Sequence, residues 1–383
     1  MTRRIIKLYH AYTFFFSLLF WVPIFYEFQK RMGLSDGEIF AIQSFYYLAF
    51  CALELPTGFL ADRFGNRRIL AWASVTLVVA NLLPIGWPTF AGFLLHWLLI
   101  ATARSLVSGS ASAYLYDYLE RTGETDWYRQ TEGNARALSL FGRVAAWGVV
   151  GYLMEWHVTL PYWLTALAAT VALLVAARLP EGERSHEPWS FRACFEALRT
   201  TPALWLMMGS GLSIFVLARL VQVNLFQPLL AAKDYGVPAF GVIMGITTLF
   251  EAAGSAWAEK VAQRFGELPS VFWVAVVMAA STALFPAAGW QLTFVLMSIF
   301  ALACGVAFPI QRKLLNEAIP KPGLRATLLS VESLLDRAAC SLMAAISGAF
   351  MASHQMGLLL YLAAGTTLVL TAALLYVYSA RKA

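Results

Sequence analysis

Twelve runs of about 20 mostly apolar residues follow one another along the chain, with short turns between most of them. They fall at 6–28, 37–59, 67–86, 88–115, 134–155, 159–178, 202–230, 239–259, 270–288, 291–311, 325–351 and 356–378. At about 1.5 Å per helical residue, each is long enough to cross a hydrocarbon core about 30 Å thick. A backbone in lipid must satisfy its own hydrogen bonds, so runs of this kind form helices. The chain is 60% hydrophobic and 13% charged, whereas a soluble domain carries about 25% charged residues. The expected fold is therefore an all-α integral membrane protein with twelve transmembrane helices.

Charge placement gives the orientation. The net charge of +6 would suit nucleic acid, but Lys and Arg cluster in alternate loops. One side has Arg3, Arg4 and Lys7, then Arg63, Arg67 and Arg68, and so on to Arg381 and Lys382. The other side has only Lys30, Arg31 and Lys233. This positive-inside pattern predicts a multi-pass protein of a bacterial inner membrane, with both termini cytoplasmic and no nucleic-acid partner. The first run is too long for a signal peptide, and bulky Trp21 to Tyr26 stand where a cleavage site needs small residues. Four scattered cysteines show no disulfide or metal spacing. No nucleophile–base cluster or phosphate loop is present, so an enzyme is not expected. The expected partners are the lipid bilayer and a small-molecule substrate, with the protein a monomer.

The chain divides as 1–179, a six-helix bundle; 180–201, a cytoplasmic linker; and 202–383, a second six-helix bundle. In the linker, Phe191, Phe195 and Leu198 keep helical period and predict an interfacial helix. Within 58–70 the sequence is GFLADRFGNRRIL, a charged turn squeezed between two apolar runs. It partly recurs as Ala262-Gln263-Arg264-Phe265-Gly266. Looser echoes in the same order, such as Arg136-Ala137-Leu138 and Arg325-Ala326-Thr327, point to a duplicated bundle.

The turn resembles the loop 2–3 signature of the major facilitator superfamily, at Gly58, Leu60, Ala61, Asp62, Arg63, Gly65, Arg67 and Leu70. The resemblance is to the drug and metabolite efflux branch. It implies two six-helix halves around a central cavity lined by helices one, four, seven and ten. It also implies that Gly58, Asp62, Arg63, Gly65 and Arg67 form a gating latch with Asp117, an acid at the inner end of helix four. Asn66 departs from the family pattern, which has Arg there, and Arg63 or Arg67 is the expected substitute toward Asp117. Arg104 and the Ser108-Gly109-Ser110 run resemble the family's helix-four signature. The stripe Ala101, Ser105, Gly109, Ala113 and Asp117 reads as close helix packing. Helix five lacks the Gly-Pro run of the antiporters.

Charges inside spans cost about 2.5–3.5 kcal/mol on insertion scales and therefore pair or face a cavity. Arg143, Glu332, Asp336 and Arg337 are expected to form structural pairs. Arg104 and Arg219 are the candidates for substrate contact. Gln222 and Phe226 stand three and seven residues from Arg219, on one helical face. Trp21, Phe25 and Tyr26 of helix one, with Gln43 and Tyr46 of helix two, complete a candidate aromatic chamber. Glu54 and Glu251 are the candidate proton-coupling carboxyls, and hydrogen bonding to the other half is an equal reading for Glu54. No cofactor or metal is expected, and a proton gradient is the expected energy source. The expected function is secondary active transport of small organic molecules by alternating access, as proton-coupled efflux of a drug-like compound, metabolite or metallophore. The alternatives are import of an organic anion and translocation of a lysolipid or other amphiphile.

Overall fold

The computed structural model describes residues 2–108, 110–181, 202–319 and 325–382. All regular elements among them are helical. In chain order they are α1 (Thr2–Ser17), α2 (Phe25–Arg31), α3 (Asp36–Phe64), α4 (Asn66–Gly86), α5 (Phe90–Val107), α6 (Ser110–Arg121), α7 (Tyr128–Trp156) and α8 (Leu160–Ala176). There follow α9 (Pro202–Arg219), α10 (Phe226–Ala231), α11 (Val237–Phe265), α12 (Glu267–Leu284), α13 (Trp290–Ala318), α14 (Arg325–Ala352) and α15 (Met356–Lys382). Ten helical segments among the described residues are long and apolar enough to cross a membrane. They coincide with ten of the twelve apolar runs; run 37–59 falls in α3, and run 159–178 in the shorter apolar α8. The expected linker helix lies outside the described residues.

Contacts group the chain into two compact units. Unit 1 takes in Met1–Glu187 and Val237–Gly245, and unit 2 takes in Pro188–Gly236 and Ile246–Ala383. Inside unit 1, α4 packs on α5 and α8, and α1 packs on α7 and α8. Inside unit 2, α12 packs on α13 and α15, and α9 packs on α14 and α15. These four pairings correspond in chain order; unit 1 also packs α3 on α5, and unit 2 packs α9 on α13.

Local chemistry explains the element ends. Ser35 and Glu38 form a reciprocal capping box at the start of α3, satisfying two amides that a helix start leaves open. The charged turn and its partial copy fold alike. Gly65 has φ 85° and ψ 144°, and Gly266 has φ 83° and ψ 156°. Each glycine amide donates to the carbonyl four residues back, Ala61 or Ala262, at 2.9 Å. Side chains rarely adopt this backbone region, which explains glycine at both positions.

The first long apolar run of each unit is broken. Pro23 has no N–H to donate to Leu19 O, and that carbonyl accepts from Trp147 Nε1 at 3.0 Å instead. The Phe20 amide donates to Thr165 Oγ1 at 3.1 Å. Side chains from α7 and α8 thus complete the hydrogen bonding that the break leaves open. In unit 2 the interruption is a π-helical stretch, Leu220–Asn224, with Pro228 one turn beyond it. The fourth run is broken as well: α5 ends at Val107 with Ser108 as its cap, and α6 starts at Ser110. The stripe from Ala101 to Asp117 therefore does not run along one continuous helix, and Gly109 lies outside the described residues.

Candidate functional site

Arg104 occupies the last turn of α5, fourteen residues or about 21 Å along it from Phe90. The break at Ser108 matters here, because a cation near a helix C-terminus is stabilised by the exposed carbonyl ends. The guanidinium is exposed, and its Nη1 donates to Tyr46 Oη at 3.1 Å. It has no carboxylate partner among the described residues. The Tyr46 ring meets Trp97 edge-on at 5.0 Å between centroids, and Phe25 meets Trp97 at 5.3 Å. Gln43 lies one turn before Tyr46 on α3 and is buried. Its amide oxygen and nitrogen find no hydrogen-bond partner among the described residues, and neither does Trp97 Nε1. Buried polar atoms in this state cost about 1–3 kcal/mol each. This part of unit 1 therefore combines a cation without a carboxylate, an amide able to donate and accept, and aromatic walls.

The other unit 1 candidates have protein partners. Trp21, 1% exposed, donates its indole N–H to Asn81 Oδ1 at 2.7 Å and stacks on Tyr162. Tyr26 Oη donates to Asp36 Oδ1 at 2.6 Å, where Lys30 also pairs at 3.0 Å. Glu54 is half-buried on α3, two residues before the helix-embedded Pro56.

In unit 2, Arg219 ends α9 immediately before the π-helical stretch that contains Gln222. Phe226 belongs to α10, so the three residues do not share one regular helical face as their spacing predicts. Arg219 Nη2 lies 3.5 Å from Asp336 Oδ2, and Arg337 Nη1 lies 3.9 Å from the same oxygen. Glu332, one turn earlier on α14, pairs with Arg312 of α13 at 2.8 Å. Gln222 Nε2 donates to Glu251 Oε2 at 3.1 Å, joining a cavity candidate to a coupling candidate. Glu251 sits where α11 and α13 touch backbone to backbone. A Cβ added to Gly305 would lie 2.0 Å from Glu251 O, and one added to Gly254 would lie 2.1 Å from Leu302 O. Only glycine permits that approach.

At the charged turn, Asn66 Nδ2 donates to Asp117 Oδ2 at 3.2 Å. The residue that departs from the family pattern thus makes this contact itself. Arg67, an expected substitute, donates to Ala177 O at 2.8 Å and pairs with Glu181 at 3.5 Å. Arg63 lies over the Phe64 ring at 5.4 Å. Gly58 and Asp62 lie on α3, and the side chain of Asp62 is outside the described residues. In the matching turn of unit 2, Glu267 takes the place after the glycine and pairs with Lys313 of α13.

Sequence reasoning missed Trp97 and Asn81; it expected Asp336 in a structural pair, but not with Arg219. Pro23 and Pro228 were visible signals of the helix breaks. The partners of Arg219 and Trp21 are 117 and 60 positions away, beyond any local pattern.

Residues 8–236 match the family profile described as Major Facilitator Superfamily. No curated protein sequence matches the chain. Among solved structures, the nucleoside transporter NupG superposes with a TM-score of 0.82 at 16% identity, covering 97% of this chain and 98% of that one. A D-xylose-proton symporter gives 0.71 at 14% identity, covering 96% of each chain. A bacterial homolog of the human lysosomal transporter Spinster gives 0.71 at 16% identity, covering 98% of this chain and 96% of that one. At such identities the likeness is one of fold.

Proposed function

Because the chain belongs to the Major Facilitator Superfamily, and is thus a multi-pass membrane transporter of small molecules and not an enzyme, we propose that it moves an amphipathic organic solute bearing an anionic group, by alternating access. The observation that supports this most is Arg104. A guanidinium far inside a membrane span, held by a tyrosine hydroxyl and without a carboxylate among the described residues, is a costly feature unless an anion or water meets it. The buried amide of Gln43, one turn from Tyr46, and the N–H of Trp97, two turns before Arg104, supply neutral hydrogen bonds, and Phe25 and Tyr46 supply apolar surface. In this reading Trp21 and Tyr26 brace the unit 1 chamber, and Arg219, Gln222 and Phe226 are the unit 2 candidates for solute contact.

The twelve-helix, two-half plan belongs to the same proposal, as do the three-part domain division, cytoplasmic termini, a bacterial inner membrane and a monomeric state. The turn around Gly58, Asp62, Arg63, Gly65 and Arg67, with Asp117, acts as the gate. Its likeness to efflux members supports outward transport coupled to protons, with Glu251 or Glu54 as the coupling carboxyl. Arg104 and Arg219 support a second reading, import of an organic anion. The fold neighbours named as a nucleoside transporter and a D-xylose-proton symporter are compatible with small polar solutes and with proton coupling.

Two measurements test the proposal. In Arg104→Gln, affinity for carboxylate-bearing solutes should fall at least about tenfold, or about 1.4 kcal/mol, with thermal stability and affinity for neutral analogues unchanged. Unchanged anion affinity would remove Arg104 from the substrate site. In everted vesicles, uptake driven by an inside-acid gradient would support export, whereas accumulation by intact cells would support import.

A further inference from the structure

The two matching turns carry the same aromatic residues at the same offsets, and the side chains do different things. In unit 1, Phe64 and Trp72 lie 5.0 Å apart between ring centroids and pack on one another, with Trp72 42% exposed. In unit 2, the corresponding Phe265 and Trp273 are 58% and 60% exposed and line a groove of about 410 Å³. The volume is within the range of about 300–1,000 Å³ that small-molecule sites occupy. The groove lies between α11, α12 and α13, and its other walls include Val277, Ile299 and Val306. Its floor adjoins the glycine contact of α11 and α13, because groove residues Leu302 and Val306 are the ones that touch Gly254.

The groove lining is almost wholly apolar, and its one hydroxyl, Ser270 Oγ, is already donated to Gly266 O. Along α12 the walls run from Ser270 to Val277, seven residues or about 10 Å. That is shorter than one leaflet, about half of a hydrocarbon core about 30 Å thick. One end is at the Gly266 turn. There the exposed guanidinium of Arg264 lies 5.8 Å over the ring of Phe265, a groove wall, and has no carboxylate partner among the described residues. An apolar slot that fits within one leaflet, opening beside a cation with no carboxylate partner among the described residues at a helix end, has the chemistry of one amphiphile. We propose that this groove binds an anionic phospholipid, with an acyl chain between α11, α12 and α13 and the headgroup phosphate on Arg264.

The apolar walls set occupancy, and Arg264 sets headgroup preference. Phosphatidylglycerol and phosphatidylcholine of equal chain length separate the two contributions. The test is native mass spectrometry of the full chain released from detergent with each lipid added. The wild type should retain phosphatidylglycerol over phosphatidylcholine by at least about fivefold. In Arg264→Gln that preference should vanish while chain-dependent binding persists. Val277→Trp, which fills the groove from a partly exposed position, should lower retention of both lipids. Arg129→Gln, an exposed arginine of unit 1, should behave as wild type. Equal retention of the two lipids by the wild type, or a preference that survives Arg264→Gln, would overturn the headgroup assignment. Undiminished binding in Val277→Trp would overturn the groove as the chain site. Melting temperatures of the variants without added lipid show whether any loss comes from misfolding.

Discussion

Unit 1 and unit 2 use the same backbone turn and surround it differently. After Gly65, Asn66 reaches an acid, Asp117, as a neutral donor. After Gly266, Glu267 reaches a base, Lys313, as an ion pair. Deeper in the units the contrast reverses. Arg104 of unit 1 has a tyrosine hydroxyl and no carboxylate among the described residues, whereas Arg219 of unit 2 shares Asp336 with Arg337. The broken first runs differ too: unit 1 completes its open hydrogen bonds with Trp147 and Thr165, and unit 2 passes through a π-helical stretch. A repeated sequence pattern thus settles the backbone twice, and individual side chains then divide the work. Unit 1 leaves polar capacity unused inside an aromatic frame. At the matching depth, unit 2 pairs Arg219 with Asp336 and Arg312 with Glu332.

Four substitutions probe this comparison, in falling order of effect. Trp21→Ala strikes the aromatic frame of unit 1, removing a buried ring and leaving the Asn81 amide oxygen unpaired. The loss should be about 3–5 kcal/mol, a range typical of large aromatic truncations, read as a fall in melting temperature. A loss below about 1 kcal/mol would mean that the frame tolerates the cavity. Next, Gly65→Ala and Gly266→Ala should each cost about 1–3 kcal/mol, because both force a side chain into a glycine-only backbone region. The informative quantity is their difference. Equal costs would support one turn used twice, and a harmless change at either glycine would break the equivalence. Smallest is Asn66→Arg, which gives unit 1 an ion pair like that of unit 2. On a half-exposed surface it should add no more than about 1 kcal/mol. Its sharper readout is the transport rate, expected to fall if opening requires this contact to break.

Much of this architecture is legible in the sequence, for physical reasons that can be named. Run length and the hydrogen-bonding demands of lipid give the spans. Glycine at Gly65 and Gly266 is read from its motif because few other residues adopt that backbone. Two features resisted. The continuous apolar run 88–115 hides the interruption at Ser108, since serine and glycine do not lower hydrophobicity enough to mark a boundary. Hydrophobicity likewise cannot tell Trp72, which packs on the Phe64 ring, from Trp273, which lines a groove. For the site, Arg104, Gln43, Tyr46 and Phe25 were all candidates, but their relation runs through Trp97, whose apolar surroundings gave no hint of a role. The pairing of Asp336 with Arg219 depends on two helices meeting, and no one-dimensional pattern encodes it.

The π-helical stretch Leu220–Asn224 has a consequence for register. It fits one more residue between its ends than an α-helix would, and one residue corresponds to about 100° of rotation about the axis. Everything before it, Arg219 included, is therefore turned by about that angle relative to Phe226 and the rest of α10. The direction in which Arg219 points is set by this surplus residue as much as by the identity of any neighbour. A chain of this kind can re-aim a charge by gaining or losing one position in a helix, with no substitution at the arginine.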